Sequence, residues 1–166
     1  MNYPGLARKA IRQYLETGEL LEISGELRQQ YLEKKGVFVS LKKKGALRGC
    51  IGTISGQSTL LEEIVRNAVA SATEDPRFPP VTLEETDLLD ISVDVLEHPE
   101  PVRSAAELDP RIYGIIVSQG YRRGLLLPDL EGVDTVEMQI AIAKEKAGIM
   151  GNQYQLEKFK VTRYEE

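Results

Sequence analysis

The spacing of apolar residues along this chain switches repeatedly between a helical period and the two-residue period of a strand, and that order constrains the fold. Apolar positions over residues 5–17 fit a helix, and a short helical stretch follows over residues 26–31. Residues 37–41 and 46–54 then indicate two strands, which are joined by the turn Lys43-Lys44-Gly45. The first third of the chain therefore predicts two helices followed by an antiparallel hairpin.

The helix with the strongest pattern follows this hairpin. Thr59-Leu60-Leu61-Glu62 fits a capping box, in which the threonine and glutamate side chains each satisfy a free backbone N–H. Pro76 ends the helix, because proline lacks the N–H that a helix interior needs. The segment Asp75-Pro76-Arg77-Phe78-Pro79-Pro80 has a restricted backbone, so we expect an ordered connection that is not helical. A second capping box, Thr82-Leu83-Glu84-Glu85, predicts a short turn of helix after it.

The second half of the chain continues the alternation of strands and helices. Residues 91–95 alternate apolar and polar side chains as a half-buried strand does, and residues 113–118 and 124–127 indicate a hairpin. A helix over residues 134–147 and a last strand near residue 159 complete the pattern. The order predicts an α+β fold, a mainly antiparallel mixed sheet flanked by helices, within one domain over residues 1–166.

Composition limits the compartment and the partners. No window approaches the roughly 18 apolar residues that span a bilayer, and the first residues carry charge where a signal peptide is apolar, so we expect a cytoplasmic protein. The net charge of -5 argues against general affinity for nucleic acid, which needs a basic footprint. The one basic run, Lys42-Lys43-Lys44, is typical of a solvated turn.

The chain has few residues that bind transition metals. It contains one cysteine, Cys50, and one histidine, His98. These counts exclude an internal disulfide, a zinc site of Cys and His ligands from one chain, and an iron–sulfur cluster held by several of its cysteines. We therefore predict neither a metal nor another cofactor, although a carboxylate site for magnesium stays open.

Leu47-Arg48-Gly49-Cys50-Ile51-Gly52 is the strongest candidate for a functional centre. In a regular strand Leu47 and Ile51 share the core face with Gly49, whereas Arg48, Cys50 and Gly52 share the other face. An unpaired buried arginine is costly, so the Arg48 face should meet water, a cleft or a carboxylate. Gly49 and Gly52 leave the backbone open to the close approach of another chain or a ligand.

Cys50 has two interpretations. Beside a guanidinium its thiol should ionise more readily than a free thiol, which would favour nucleophilic chemistry. Alternatively it is a small packed apolar residue, which is the common state of a free cysteine and the one that spacing alone favours. His98 follows the end of a predicted strand, where an exposed histidine is expected, so a Cys50–His98 dyad is the less favoured arrangement.

Two further segments carry charge in places where a ligand could bind. Arg122 and Arg123 lie on a turn between glycines and form either an anion pocket or a solvated turn. Asp75 and Arg77 follow the main helix. They form either a cleft wall or an internal salt bridge that fixes the proline-rich connection.

Taken together, three segments resemble the AMMECR domain family. They are Leu47-Arg48-Gly49-Cys50-Ile51-Gly52, then Asp75-Pro76-Arg77-Phe78-Pro79-Pro80, then Arg122-Arg123-Gly124-Leu125-Leu126-Leu127-Pro128. Ile91-Ser92-Val93 and Lys146-Ala147-Gly148 fit the same pattern, so the resemblance covers nearly the whole chain. The segments occur in order and at compatible distances, as in a bacterial or archaeal protein of the AmmeMemoRadiSam system protein A type.

The resemblance implies a fold, a site and partners, but no established reaction. It implies a main antiparallel sheet with helices, a small second subdomain, and an Arg48–Gly52 motif at or near a cleft. The implied partners are a Memo-type protein, which is similar to extradiol dioxygenases, and a radical SAM protein; in some bacteria the domain is fused behind the dioxygenase-like one. The chain departs from many relatives at Tyr113, Val133 and Lys144, where they have His, Trp and Cys, so a mechanism needing two cysteines is in doubt.

Two functions are compatible with these observations. The first is binding of a small anionic or modified substrate at a cleft formed by the Arg48–Gly52 motif. Its residues would be Arg48, Arg122 and Arg123 for charge, Gly49 and Gly52 for backbone access, Asp75 and Arg77 for the cleft wall, and Cys50 as nucleophile if chemistry occurs. The second is a non-catalytic binding or scaffolding module for the dioxygenase-like and radical SAM partners. Whether the protein is an enzyme is left open.

Overall fold

Four α-helices and two four-stranded sheets make up the chain in the computed structural model, which describes residues 1–166. The helices are α1 (Tyr3–Thr17), α2 (Gly25–Gln30), α3 (Leu60–Thr73) and α4 (Val136–Ala147). The strands are β1 (Val37–Lys43), β2 (Ala46–Thr53), β3 (Leu89–Leu96), β4 (Glu100–Pro101), β5 (Gly114–Gln119), β6 (Arg122–Leu126), β7 (Gln155–Phe159) and β8 (Val161–Glu165). Two units are distinguished, one of residues 1–95 and 162–166, the other of residues 96–161.

The first unit is built on a sheet with strand order β2-β1-β3-β8, in which β1 pairs antiparallel with both β2 and β3. Alternate residues of β1 are buried, as the two-residue period predicts. Their core partners on α1 and α3 recur at helical spacing and include Ala7, Ile11, Leu61, Ile64 and Ala68. Each fully buried aliphatic side chain of this kind stabilises the fold by roughly 1.5–3 kcal/mol.

Two polar side chains of α3 fix the helix on this sheet. Asn67 donates its amide to the carbonyl of Val37 at 3.0 Å. Ser71 donates to the carbonyl of Val39 at 2.8 Å and accepts from the N–H of Ile51 at 2.9 Å. Both side chains are buried, so their bonds satisfy groups that would otherwise be costly. The helix thereby has a set position relative to β1 and β2.

The second unit has the strand order β4-β7-β5-β6, with antiparallel pairing of β5 to both β6 and β7. Its core includes Ile115, Val117, Leu126 and Ala143. Helix α4 approaches β6 so closely at Gly124 that a Cβ there would lie 2.3 Å from the Ala143 carbonyl oxygen. Only glycine allows this packing distance.

The α+β class with antiparallel sheets and flanking helices is confirmed, and several local expectations are refined. The single sheet expected from the pattern is two sheets, and the last strand is two strands, β7 and β8. The capping box at Thr59 is wrong, because its hydroxyl donates to the Glu62 carboxylate and makes no backbone cap. The box at Thr82 is confirmed by its reciprocal bonds with Glu85 at 3.3 and 3.1 Å. No helix has the length and apolar character needed to cross a membrane.

Candidate functional site

A β-bulge sets the geometry of the Leu47–Gly52 motif. Leu41 pairs with Gly49 but Lys42 pairs with Leu47, so Arg48 is an extra residue on β2. The strict alternation expected along this strand is therefore wrong at Arg48. Leu47, expected in the core, is 40% exposed instead.

Arg48 lies at the centre of a cluster that we call the Arg48 clamp, formed by Arg48, Glu85 and the carbonyls of Pro79 and Pro80. Its Nε and Nη2 donate to the two Glu85 oxygens at 3.0 and 3.2 Å. Its Nη1 and Nη2 donate to the carbonyls of Pro79 and Pro80 at 2.8 and 3.2 Å. The Arg48 side chain is only 14% exposed, so this charge is largely withdrawn from water and compensated within the protein.

Glu85 is the counterion of the clamp. Hydrogen bonds from Arg48, then from the N–H of Thr82 and from Lys43, lower the pKa of this carboxyl to about 2. The Lys43 ammonium lies 3.1 Å from the carboxylate. Glu85 was not among the predicted site residues, although its place in the Thr82 capping box was a usable signal that the side chain points back toward the backbone.

Asp75 ties the start of the proline-rich segment to β2. Its buried carboxylate accepts from the N–H of Cys50 at 3.0 Å and from the N–H of Arg77 at 3.0 Å. The Arg77 guanidinium adds bonds at 3.0 and 2.8 Å, and these hold the pKa of Asp75 well below its usual range. This arrangement matches the internal salt bridge that one interpretation of the sequence predicted.

The segment held in this way presents several exposed groups. Pro76, Arg77, Pro79 and Pro80 are all exposed, and the Arg77 side chain is 55% accessible. The Arg77 guanidinium also lies 5.4 Å from the centre of the Phe78 ring, at cation–π distance. Residues 75–80 are thus a surface segment that is fixed at one end by the Asp75 carboxylate and at the other by hydrogen bonds from Arg48.

The Cys50 thiol lies beside a serine rather than beside Arg48. Its Sγ is 3.3 Å from Oγ of Ser40, the residue opposite it on β1. Burial raises the pKa of the thiol, and this outweighs the lowering by the Ser40 hydrogen bond and the Arg77 charge. The expectation that Arg48 would lower the pKa of Cys50 is therefore wrong. The cation that acts on the thiol is Arg77, and burial raises the pKa by more than Arg77 lowers it.

The close approaches permitted by the two motif glycines are made by the chain itself. A Cβ on Gly49 would lie 2.1 Å from the Ser71 carbonyl oxygen of α3. On Gly52 it would lie 2.3 Å from the Phe38 ring. The glycines therefore allow α3 and Phe38 to pack directly on the β2 backbone.

Arg122 and Arg123 belong to the second unit, whereas Arg48, Cys50, Asp75 and Arg77 belong to the first. The Arg122 Nη1 donates to the carbonyl of Gly148 at 2.7 Å, and its guanidinium lies 5.9 Å from the Tyr121 ring centre. The Arg123 guanidinium is 3.7 Å from a carboxylate oxygen of Glu157. Each arginine thus has partners within its own unit.

Another carboxylate that sequence reasoning missed is Glu63, which is buried in α3. It accepts from the N–H groups of Gln57 and Ser58 at 2.6 and 2.9 Å and from the Thr53 hydroxyl at 2.9 Å. Its role is to order the turn between β2 and α3. No group of three or more His, Cys, Asp and Glu side chains is arranged to hold a metal ion.

Comparisons with known proteins identify a family and several relatives of this chain. The model of the family described as AMMECR1 matches residues 4–166. A protein of Clostridium acetobutylicum is 51% identical over 99% of this chain, which spans only 36% of that relative's length. A Thermotoga maritima protein is 48% identical, with 98% of this chain and 96% of the relative covered. The crystal structure of an uncharacterised Pyrococcus horikoshii protein matches with a TM-score of 0.91 at 36% identity, covering 99% of this chain and 89% of that one.

Proposed function

The chain belongs to the AMMECR1 family, and from that premise we propose that it is a non-catalytic binding module that docks on a partner protein through residues 75–80. One observation carries the proposal. The Arg48 clamp and the Asp75–Arg77 pair use the charges of their segments within the protein, to hold an exposed proline-rich segment in place. An ordered exposed segment of this kind is suited to recognition.

Pre-organisation is the physical advantage of such a segment. Its prolines limit the backbone, and Arg48 fixes the carbonyls of Pro79 and Pro80. A segment that is already ordered loses little conformational entropy when a partner binds. Arg77, half-exposed beside Phe78, would supply a cation and an aromatic edge, which are residue types enriched at interfaces.

The same contacts weigh against an anion receptor centred on Arg48. Its Nε, Nη1 and Nη2 all donate to groups of the protein, and the side chain is 14% exposed. An incoming anion would have to displace Glu85, and this would leave a carboxylate largely withdrawn from water with Lys43 as its remaining ion-pair partner. The raised pKa of Cys50 likewise weighs against a thiolate nucleophile near neutral pH.

We propose the Memo-type, dioxygenase-like protein as the partner. The family resemblance suggests it, and the Clostridium acetobutylicum relative, whose chain is much longer than this one, supports a domain that works beside another. The domain is nearly the whole protein in Thermotoga maritima and about a third of the chain in Clostridium acetobutylicum. We therefore expect it to function both as a separate protein and as part of a longer chain.

Calorimetric titration with the Memo-type protein of the same organism tests this function. The variant P79A/P80A keeps both carbonyls that Arg48 binds and removes only exposed rings. We expect it to weaken binding at least about tenfold, since buried contact rings at an interface core are each worth about 1 kcal/mol or more. The matched control is Arg66→Ala, an exposed residue of α3 outside the segment. Equal affinities for the wild type and P79A/P80A, or no binding, would overturn the proposal.

One observation favours a second candidate, a small anion held at Arg77. The Arg77 side chain is 55% exposed, and its Nε and Nη2 donate to Asp75 whereas its Nη1 makes no hydrogen bond within the protein, so an anion at Nη1 would displace neither Asp75 nor Glu85. A titration with citrate, followed by the NMR signal of the Arg77 Nε–H, tests it. A saturable shift supports this candidate, and a signal that moves only as it does with sodium chloride eliminates it.

A further inference from the structure

A cavity of about 200 Å³ lies in the second unit, and its lining includes none of the candidate site residues described above. Its lining includes three basic side chains, two carboxylates and a tyrosine, namely His98, Lys158, Lys160, Glu97, Glu100 and Tyr113. The chain's one histidine therefore lies at the same cavity as two lysines. Nothing in the clamp or in the proposed docking segment uses these side chains.

Two lysine ammonium groups converge on one aromatic ring in this cavity. Nζ of Lys158 lies 4.6 Å from the Tyr113 ring centre, and Nζ of Lys160 lies 5.9 Å from it. Neither ammonium has a carboxylate oxygen within 4.0 Å. Two ammonium groups that lie near one ring without a direct ion pair repel each other, so the arrangement favours an anion that bonds to both. Glu107 lowers this repulsion only through space, as its electrostatic interaction with Lys158 indicates.

The position of Lys158 makes this absence of an ion pair informative. Glu100 is its direct cross-strand partner between β4 and β7, and opposite charges in that position ordinarily pair. The Lys158 ammonium instead contacts the Tyr113 ring. Its charge is therefore directed toward the cavity rather than neutralised by the neighbouring strand.

The backbone fixes the elements that carry the basic side chains. The N–H of Glu97 donates to the carbonyl of Lys160 at 2.9 Å, next to His98. The register of β4 on β7 places Glu100 opposite Lys158. Both contacts lie within the second unit, so the cavity has a defined wall on each side.

We propose that this cavity binds a small phosphate or phosphomonoester. Two ammonium groups and an imidazole can donate to several oxygens of one tetrahedral dianion, and charge-assisted bonds of this kind are the strong ones. The Tyr113 ring provides an apolar wall against which a small organic group can pack. The cavity volume of about 200 Å³ suits a single small anion rather than an extended polyanion such as nucleic acid.

NMR of the His98 ring tests the proposal directly, because the chain's one histidine gives an unambiguous signal. The probe is inorganic phosphate at about pH 7.5, where it is mostly a dianion. The reference titration uses sodium chloride at matched ionic strength. We expect a saturable shift of the ring signals with phosphate and none with chloride.

Charge-removing variants assign the shift to the cavity. Lys158→Gln and Lys160→Gln should each weaken phosphate binding about tenfold, as expected for the loss of one charge-assisted bond. The control Lys9→Gln removes an exposed charge from α1 of the first unit and should leave the affinity unchanged. The proposal would be overturned if the His98 ring signals did not respond to phosphate. It would also be overturned if the double variant Lys158→Gln/Lys160→Gln responded as strongly as the wild type.

Discussion

Arg48 and Glu85 show how a charged pair can hold a surface segment in place. The guanidinium uses both of its edges, one on the Glu85 carboxylate and one on the carbonyls of Pro79 and Pro80. Planar arginine suits this double role, whereas lysine could make only one of the two sets of bonds in this geometry. Arg48, the charged residue of the strongest sequence motif, therefore has a structural role, because it holds Pro79 and Pro80 in place.

Glu85 gives the clamp a pH dependence. Its pKa in the folded protein is lowered from 4.5 to about 2, so the ionised pair stabilises the fold fully above about pH 4.5 and loses this contribution as the pH falls toward 2. Across that window we expect the free energy of unfolding to fall by about 1–2 kcal/mol more in the wild type than in Glu85→Gln. This value is smaller than the full pKa shift implies, because water partly screens the ion pair. Urea unfolding at graded pH measures the difference, and parallel curves for the two proteins would contradict it.

Cys50 is expected to react slowly at neutral pH. Burial raises the pKa of its thiol, and only part of that effect is offset by Ser40 and Arg77. Alkylation of the folded protein should therefore stay slow at about pH 7 and rise only above the titration range of a free thiol, near pH 8.5. The control is the same protein in denaturant, where the thiol is free. If labelling of the folded protein began at a lower pH than labelling of the denatured control, the thiol would be activated and the raised pKa would be contradicted.

At the scale of elements, the contact between β2 and α3 depends on Gly49. A Cβ at this position would lie 2.1 Å from the Ser71 backbone carbonyl, which cannot move without displacing the helix. Gly49→Ala should therefore destabilise the protein by about 2–3 kcal/mol, the range typical of overpacking. Gly25→Ala is the matched control, because a Cβ there meets nothing within 4 Å. Thermal unfolding compares them, and equal midpoints would mean that α3 is not fixed at this distance.

The sequence predicted the elements better than their irregularities. The helices α1, α3 and α4 and the hairpin of β5 and β6 follow from local periodicity and were found close to the expected bounds. The bulge at Arg48 was not predictable, because it depends on the register between β1 and β2 rather than on β2 alone. A signal confined to one strand cannot reveal a change that requires two.

The candidate site was predictable to a similar extent. Asp75 and Arg77 were recognised as a possible internal pair because they flank Pro76 at close spacing. Ser40 was missed because its pairing with Cys50 depends on the register between β1 and β2. Glu85 was missed because its contact with Arg48 joins positions far apart in the chain. Long-range partners of this kind follow from the tertiary fold and leave no periodic trace in the sequence.

At the scale of the whole molecule, the matches to relatives of different lengths bear on how the domain works. It makes up nearly all of the Thermotoga maritima relative and 36% of the Clostridium acetobutylicum one. The region that the AMMECR1 family model matches, residues 4–166, includes all of the second unit and nearly all of the first. A module of this kind, with an ordered exposed segment, fits a binding role under the function proposed here.

Hydrogen exchange of the complex tests the central claim most directly. Peptides that cover residues 73–85 should exchange more slowly when the Memo-type protein is added, because docking on residues 75–80 shields their amides from solvent. Peptides from α1, which lies outside the segment, should be unaffected and serve as the internal control. Protection confined to residues 73–85 is the predicted result. A complex that forms without protection there would contradict the claim that the Arg48-clamped segment is the docking surface.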